Sequence, residues 1–196
     1  MAEWNSHAGD DLTLLNGNVM QLGNSIAPIR QTWDRREAHT DVAAALTTQV
    51  MLSTPIVLRA GDVITNIAVQ FGHTAAVSPT NWWFALYSNA ATPALLAQTA
   101  DQTTGAIAAD AFKDLPLTAA QTISADGVYW IGIMVKAGTV PSLPCQAGFA
   151  TSKLSSALLT GMTVLAQTSG ASLTTTAPAT IATPTAVVNV PYAIAH

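Results

Sequence analysis

Four histidines, one cysteine and a scatter of carboxylates are the residues of this chain best equipped for catalytic or metal-binding chemistry. His7, His39, His73 and His196 stand far apart, and no two have the short spacing that presents a pair of ligands to one metal ion. The HExxH, GxSxG, GxGxxG and phosphate-loop patterns do not occur. Cys145 lies between Pro144 and Gln146 with no motif that supplies an activating base, and reads as a partly buried structural thiol. As the single cysteine, it forms neither an internal disulfide nor a thiolate cluster. Asp101, Asp110, Asp114 and Asp126 fall in or beside turns, where carboxylates bond backbone amides. A glycosidase needs two carboxylates facing one another across a cleft, and the spacing of these four gives no sign of that. The sequence therefore reads as non-enzymatic, with no cofactor and no metal.

The aromatic residues offer a different chemistry. Trp82 and Trp83 are consecutive on a strand-like stretch, so their rings point to opposite faces, and Tyr129 and Trp130 repeat the arrangement. Tyr87 shares the face of Trp83. An exposed Trp83–Tyr87 pair would form a flat apolar platform on which a sugar ring stacks. The alternative is that both faces are covered, one by a second sheet and the other by an adjacent subunit.

The elements that carry these residues have the two-residue period of β-structure. Val63, Thr65, Ile67, Val69 and Phe71 alternate with Asp62, Ile64, Asn66, Ala68 and Gln70, which predicts a strand with the first set facing the core. Gly61-Asp62 marks the turn before it, Ile56 and Leu58 belong to the preceding strand, and Thr47–Val50 already reads as strand, after a helical turn over Ala43–Leu46. Asn81–Ser88 and Leu95–Thr99 are further strands. Asp114–Ser124 contains Pro116 and is expected at an edge. Val128–Lys136 is apolar on both faces and is expected at the centre of a sheet. Short strands separated by turns, with no repeated helix between them, define an all-β antiparallel sandwich of jelly-roll type, with Phe84, Leu86, Ile131 and Ile133 between the sheets.

The first residues follow another rule. Leu12, Leu15, Val19, Leu22, Ile26, Ile29 and Trp33 are spaced alternately by three and four, the seam along which helices zip together. Asn16, Gly17, Asn18, Gly23, Asn24 and Pro28 oppose a regular helix. Residues 1–45 are read as an extended or short helical arm for attachment or oligomerisation, through Leu12, Leu15, Val19, Leu22, Ile26 and Trp33, and residues 46–196 as the sandwich.

Composition narrows the function classes. Charged side chains make up only 9% of the chain, against about 25% in ordinary soluble domains, which excludes a charge-rich disordered regulator. The net charge of −4 argues against nucleic acid, whose phosphates need a basic surface. No stretch approaches the roughly 20 apolar residues of a spanning helix, and the acidic start MAEWNSHAGDD is unlike a secretory leader, so the chain is expected to be made in the cytoplasm without inserting in a membrane. Residues 1–62 hold 11 of the 18 charged side chains, and after Lys153 none follows apart from His196. That neutral tail contains Leu158-Leu159, Met162–Leu165 and Val187–Val190, read as strands that neighbouring subunits cover.

The succession LSTPIVLRAGDVITNIAVQFG, NWWFALYSNAATPALLAQTAD and LPLTAAQTISADGVYWIGIMVKAGTVPSL resembles β-sandwich domains in virion proteins of tailed phages that infect actinobacteria. The likeness runs over residues 48–145, through the strings at Ala85–Ser88, Leu95–Asp101 and Ala125–Leu143. It implies a minor tail, fibre-like or head-surface protein and carries no site residues across. The expectation is an accessory structural protein of the virion, a homotrimer by analogy with threefold attachment points, contacting capsid or tail proteins. A carbohydrate-binding module for host cell-envelope glycans, built on Trp83 and Tyr87, is the alternative.

Overall fold

The computed structural model describes residues 29–34, 40–147 and 163–196. Leu12, Leu15, Val19, Leu22 and Ile26 lie outside the described residues, as do His7, His39 and the Leu158-Leu159 pair. The described chain is all-β, with thirteen strands. In order they are β1 (Arg30–Gln31), β2 (Thr40–Val42), β3 (Met51–Leu58), β4 (Val63–Gln70), β5 (Asn81–Tyr87), β6 (Leu95–Gln98), β7 (Phe112–Thr122), β8 (Gly127–Lys136), β9 (Leu143–Ala147), β10 (Gln167–Ser169), β11 (Thr185–Ala186), β12 (Asn189–Pro191) and β13 (Ala193–Ala195).

They form a four-stranded sheet β1-β13-β4-β7, a six-stranded sheet β11-β10-β3-β8-β5-β6 and a three-stranded sheet β12-β9-β2, all antiparallel. The pairs β3 with β8, β4 with β7 and β5 with β6 are nested in sequence. That nesting is a long hairpin rolled up so that its legs alternate between two sheets, the wrapping of a jelly roll. Between the sheets lie Leu52, Ile56, Ile67, Val69, Phe84, Leu86, Ile131 and Ile133. Phe71, Trp82 and Phe84 form an aromatic cluster with centroids 5.8–6.4 Å apart. Each such side chain contributes about 1.5–3 kcal/mol on burial.

As expected, β8 is central and β7, with Pro116, lies at an edge. Pro55 is tolerated within β3 for a related reason: β10 pairs only with Met51–Ser53, so from Thr54 onward that side of β3 has no ladder partner among the described residues that needs an N–H.

Four expectations are corrected. Val63 and Thr65 are exposed while Ile64 is buried, because a register shift between Ile64 and Asn66 reverses the alternation partway along β4. Thr47–Val50 is a turn, since Gln49 has φ 61° and cannot continue a strand, and Ala43–Leu46 is also a turn. Residues 30–46 are built into the body, upstream of the expected boundary at 46: β1 pairs with β13, β2 with β9, and Ala45 and Leu46 are in the core. The tail folds back over its own domain, and its strands are short and shifted, with Val164 and Leu165 preceding β10 and only Asn189–Val190 falling within a strand.

Candidate functional site

The ionisable residues are dispersed over the body. Asp101 accepts hydrogen bonds from Trp82 N (3.0 Å) and Asn81 Nδ2 (2.8 Å), and Asp126 accepts one from Ala60 N (2.8 Å), the turn-bracing role their positions suggest. Asp110 pairs with His73 Nδ1 at 2.6 Å and Asp114 with His196 Nε2 at 3.2 Å, two separate contacts near the surface. Among the described residues, no three His, Cys, Asp or Glu side chains converge to hold a metal ion, and no helix is long and apolar enough to cross a membrane. Cys145 is fully buried at the middle of the three-stranded sheet, between Thr40 and Pro191. Burial, reinforced by the Asp41 carboxylate, pushes its thiol up to about 12, so it carries no nucleophilic thiolate at neutral pH.

Trp33 does not belong to an oligomer seam. It is buried in the body's own core, donating Nε1–H to Val190 O at 3.2 Å and meeting Tyr192 edge-on at 4.9 Å. Beside it, Arg30 grips Asp62 with two parallel bonds, Nε to Oδ2 at 2.8 Å and Nη2 to Oδ1 at 2.7 Å. Burial alone would raise the Asp62 carboxyl. The hydrogen bond from Arg30, the backbone N–H of Arg59 and the charge of both arginines outweigh that and hold it below its ordinary value. The turn from β3 to β4 supplies this carboxylate: Asp62 N–H closes it on Arg59 O at 3.0 Å, with Gly61 at φ 90°. Next to this joint a groove of about 240 Å³ runs between Trp33, Pro55, Val57 and Leu165, with Val57 and Leu165 exposed.

The Trp83–Tyr87 platform is overturned. Both rings do share the outer face of the six-stranded sheet, but each is 0% exposed. The cover is neither a second sheet nor a neighbouring subunit; it is the chain's own segment 173–181. Leu173, Ala177 and Ile181 pack onto Met51, Trp83, Ala85, Tyr87, Trp130 and Met134. Trp83 Nε1–H donates to Thr174 O at 2.7 Å and Tyr87 OH to Pro178 O at 2.9 Å. The cover is clamped to β6 and its approach by Ala177 N to Gln98 Oε1 (2.6 Å), Leu95 N to Ala179 O and Ile181 N to Pro93 O (both 2.9 Å). Burial also raises the Tyr87 phenol well above its ordinary range.

Beyond the end of this cover the same sheet face opens into a cleft of about 790 Å³. Its floor is Trp130, which stands on β8 opposite Tyr87 of β5 and Pro55 of β3. One wall is the β5–β6 turn, with Asn89, Thr92 and Pro93; the other is the tail, with Gln167 and Ala182–Pro184. All fifteen lining residues are uncharged. Sequence reading placed Trp130 and Tyr129 on opposite faces, as they are, but missed Gln167. Its one available signal was a carboxamide at the start of an otherwise small-residue strand.

The fold and these sites define a rolled β-sandwich with a self-covered outer face, a neutral cleft and an ion-paired joint at its first described strand. Comparison of the chain with protein-family models and with curated proteins returns no match.

Proposed function

We propose that this protein is an accessory structural protein of a tailed-phage virion, made in the host cytoplasm and attached to the particle surface, on head or tail, through the residues that precede β1. The observation that carries this reading is the joint at β1. A segment with apolar residues every three and four positions runs directly into a strand that is paired to β13, locked by the two-point Arg30–Asp62 contact and wedged by Trp33. Such a joint transmits the position of an attached arm rigidly to the body. The groove beside it, with exposed Val57 and Leu165, extends the apolar surface onto the body itself. The resemblance of residues 48–145 to virion β-sandwich domains and the charge-poor composition point the same way. Self-association as a homotrimer, with capsid or tail proteins as further partners, follows from the seam and from the threefold symmetry of many attachment points.

The test is to purify particles from cells making either the full chain or a chain lacking residues 1–28, each with an internal tag in an exposed loop. The full chain is expected on the particle at regular positions by imaging. The shortened chain is expected to keep its Tm and to be missing from the particle. A full chain that never sediments with particles, or a shortened chain that loads as well as the full one, refutes the proposal.

A further inference from the structure

The cleft over Trp130 has an unusual hydrogen-bonding balance. Trp33, Trp82 and Trp83 each donate their indole N–H to a backbone oxygen, of Val190, Gly105 and Thr174 respectively. Trp130, only 7% exposed, does not: among the described residues its N–H has no partner. Gln167, 5% exposed, is in the same condition, with no hydrogen bond to its carboxamide from any described residue. Both line the cleft, and neither polar group is among the atoms sealed off inside the body. Directly across the ladder from Gln167, the hydroxyl of Ser53 is sealed and also unpaired. Two largely buried side chains that turn their polar atoms to one opening, with no partner among the described residues, are placed to hydrogen-bond a ligand there.

The lining states what kind of ligand. With no charge in the cleft, an anion or cation would lose its hydration for no compensating partner. The unpaired groups supply two kinds of donor and one acceptor, and the Thr92 and Thr183 hydroxyls stand with apolar Pro93 and Ile181 around them. A ligand that suits this surface is neutral, rich in hydroxyls and flat and apolar on one side. The volume falls within the roughly 300–1,000 Å³ of small-molecule sites. We infer that the cleft between the β5–β6 turn and the tail binds a neutral glycan, a pyranose or furanose unit with its hydroxyls on the Trp130 indole N–H and the Gln167 carboxamide. This is a different site from the buried Trp83–Tyr87 pair. It stands on the cleft alone, whatever particle or surface the protein belongs to.

The test uses the full chain and a panel of neutral oligosaccharides of arabinose, galactose, mannose and glucose, with titration calorimetry and Tm as readouts. At least one is expected to bind in the micromolar to millimolar range. Gln167→Leu puts an apolar side chain of comparable size in place of the carboxamide, so it is expected to weaken that binding at least tenfold while the Tm stays equal or rises. A merely structural glutamine would instead lower the Tm. Trp130→Phe, which keeps an aromatic face without the N–H, is expected to weaken binding severalfold at unchanged oligomer mass. The inference is overturned if no neutral oligosaccharide binds at millimolar concentration, if Gln167→Leu binds like the wild type, or if only uronate-bearing sugars or only extended peptides occupy the cleft. Loss of particle attachment in the arm deletion bears on the proposed function and leaves this result untouched.

Discussion

Trp83→Ala removes a fully buried indole from beneath the tail segment that covers it. Truncating a buried aromatic ring costs about 3–5 kcal/mol, a figure that includes the cavity left behind. Here Tyr87 is pinned by Pro178 and Ala177 by Gln98, so the surroundings have little freedom to collapse, and the upper part of that range applies. A domain of this size has roughly 5–15 kcal/mol in total and loses about 2–4 °C of Tm per kcal/mol, so the variant should melt about 8–20 °C lower. Trp83→Phe retains most of the ring and gives up the 2.7 Å bond to Thr174 O, for about 1–2 kcal/mol. Thermal melts of the two variants give the ordering. Amide exchange at Leu173, whose N–H is bonded to Gln49 O at 3.0 Å, and at Ala177 reports whether the cover loosens before the body does. An unchanged Tm in Trp83→Ala, or a defect visible only as an altered oligomer mass or a lost glycan signal, refutes the reasoning.

Arg30→Ala leaves the Asp62 carboxylate short of its main partner and should cost about 2 kcal/mol at neutral pH. Because the folded-state value of Asp62 is depressed, this contribution is present above the unfolded carboxyl value of about 3.9 and disappears as pH falls through the folded one, so wild type and variant should converge in acid denaturation curves. Cys145 should resist maleimide at mildly alkaline pH in the folded protein and react at the rate of global unfolding, as its raised pKa and full burial require; rapid labelling of native protein would contradict this. Gly132→Ala on β8 would set a methyl group 2.5 Å from Met51 Sδ and 3.3 Å from Tyr87 Cε2, and should cost about 1–3 kcal/mol by chemical denaturation.

Much of the sandwich was legible because its signals are local. The doubly apolar run of β8, the aromatic run of β5 and the proline of β7 each report their own place in a sheet. The β4 alternation misled at Val63 and Thr65, because one shift of register reverses parity without leaving a mark in the pattern. The site was less legible for a different reason. Adjacency on a strand established that Trp82 and Trp83 face opposite ways, yet which face stays open depends on residues ninety positions later. Leu173, Ala177 and Ile181 recur every fourth residue, but the bonds that seat them are made by the Thr174 and Pro178 carbonyls, which every residue type possesses. Arg30 with Asp62 was hidden for the same reason: both look like ordinary surface charges until β13 draws β1 alongside β4.

The position of β13 carries a consequence for how the molecule comes into being. This strand lies between β1 and β4, and Thr65 and Asn66 donate to the carbonyl of His196, both at 2.8 Å. During synthesis, β1 therefore lacks its ladder partner among the described strands, and β4 has one of its two, until β13 has left the ribosome. Closing contacts over more than 160 residues is entropically slow, so β1 waits for β13 to arrive before it can pair. Stalled or clipped chains would present the vacant edge of β4 to one another, a ready template for mispairing. A chain that cannot supply β13 therefore cannot fix β1 in the sheet.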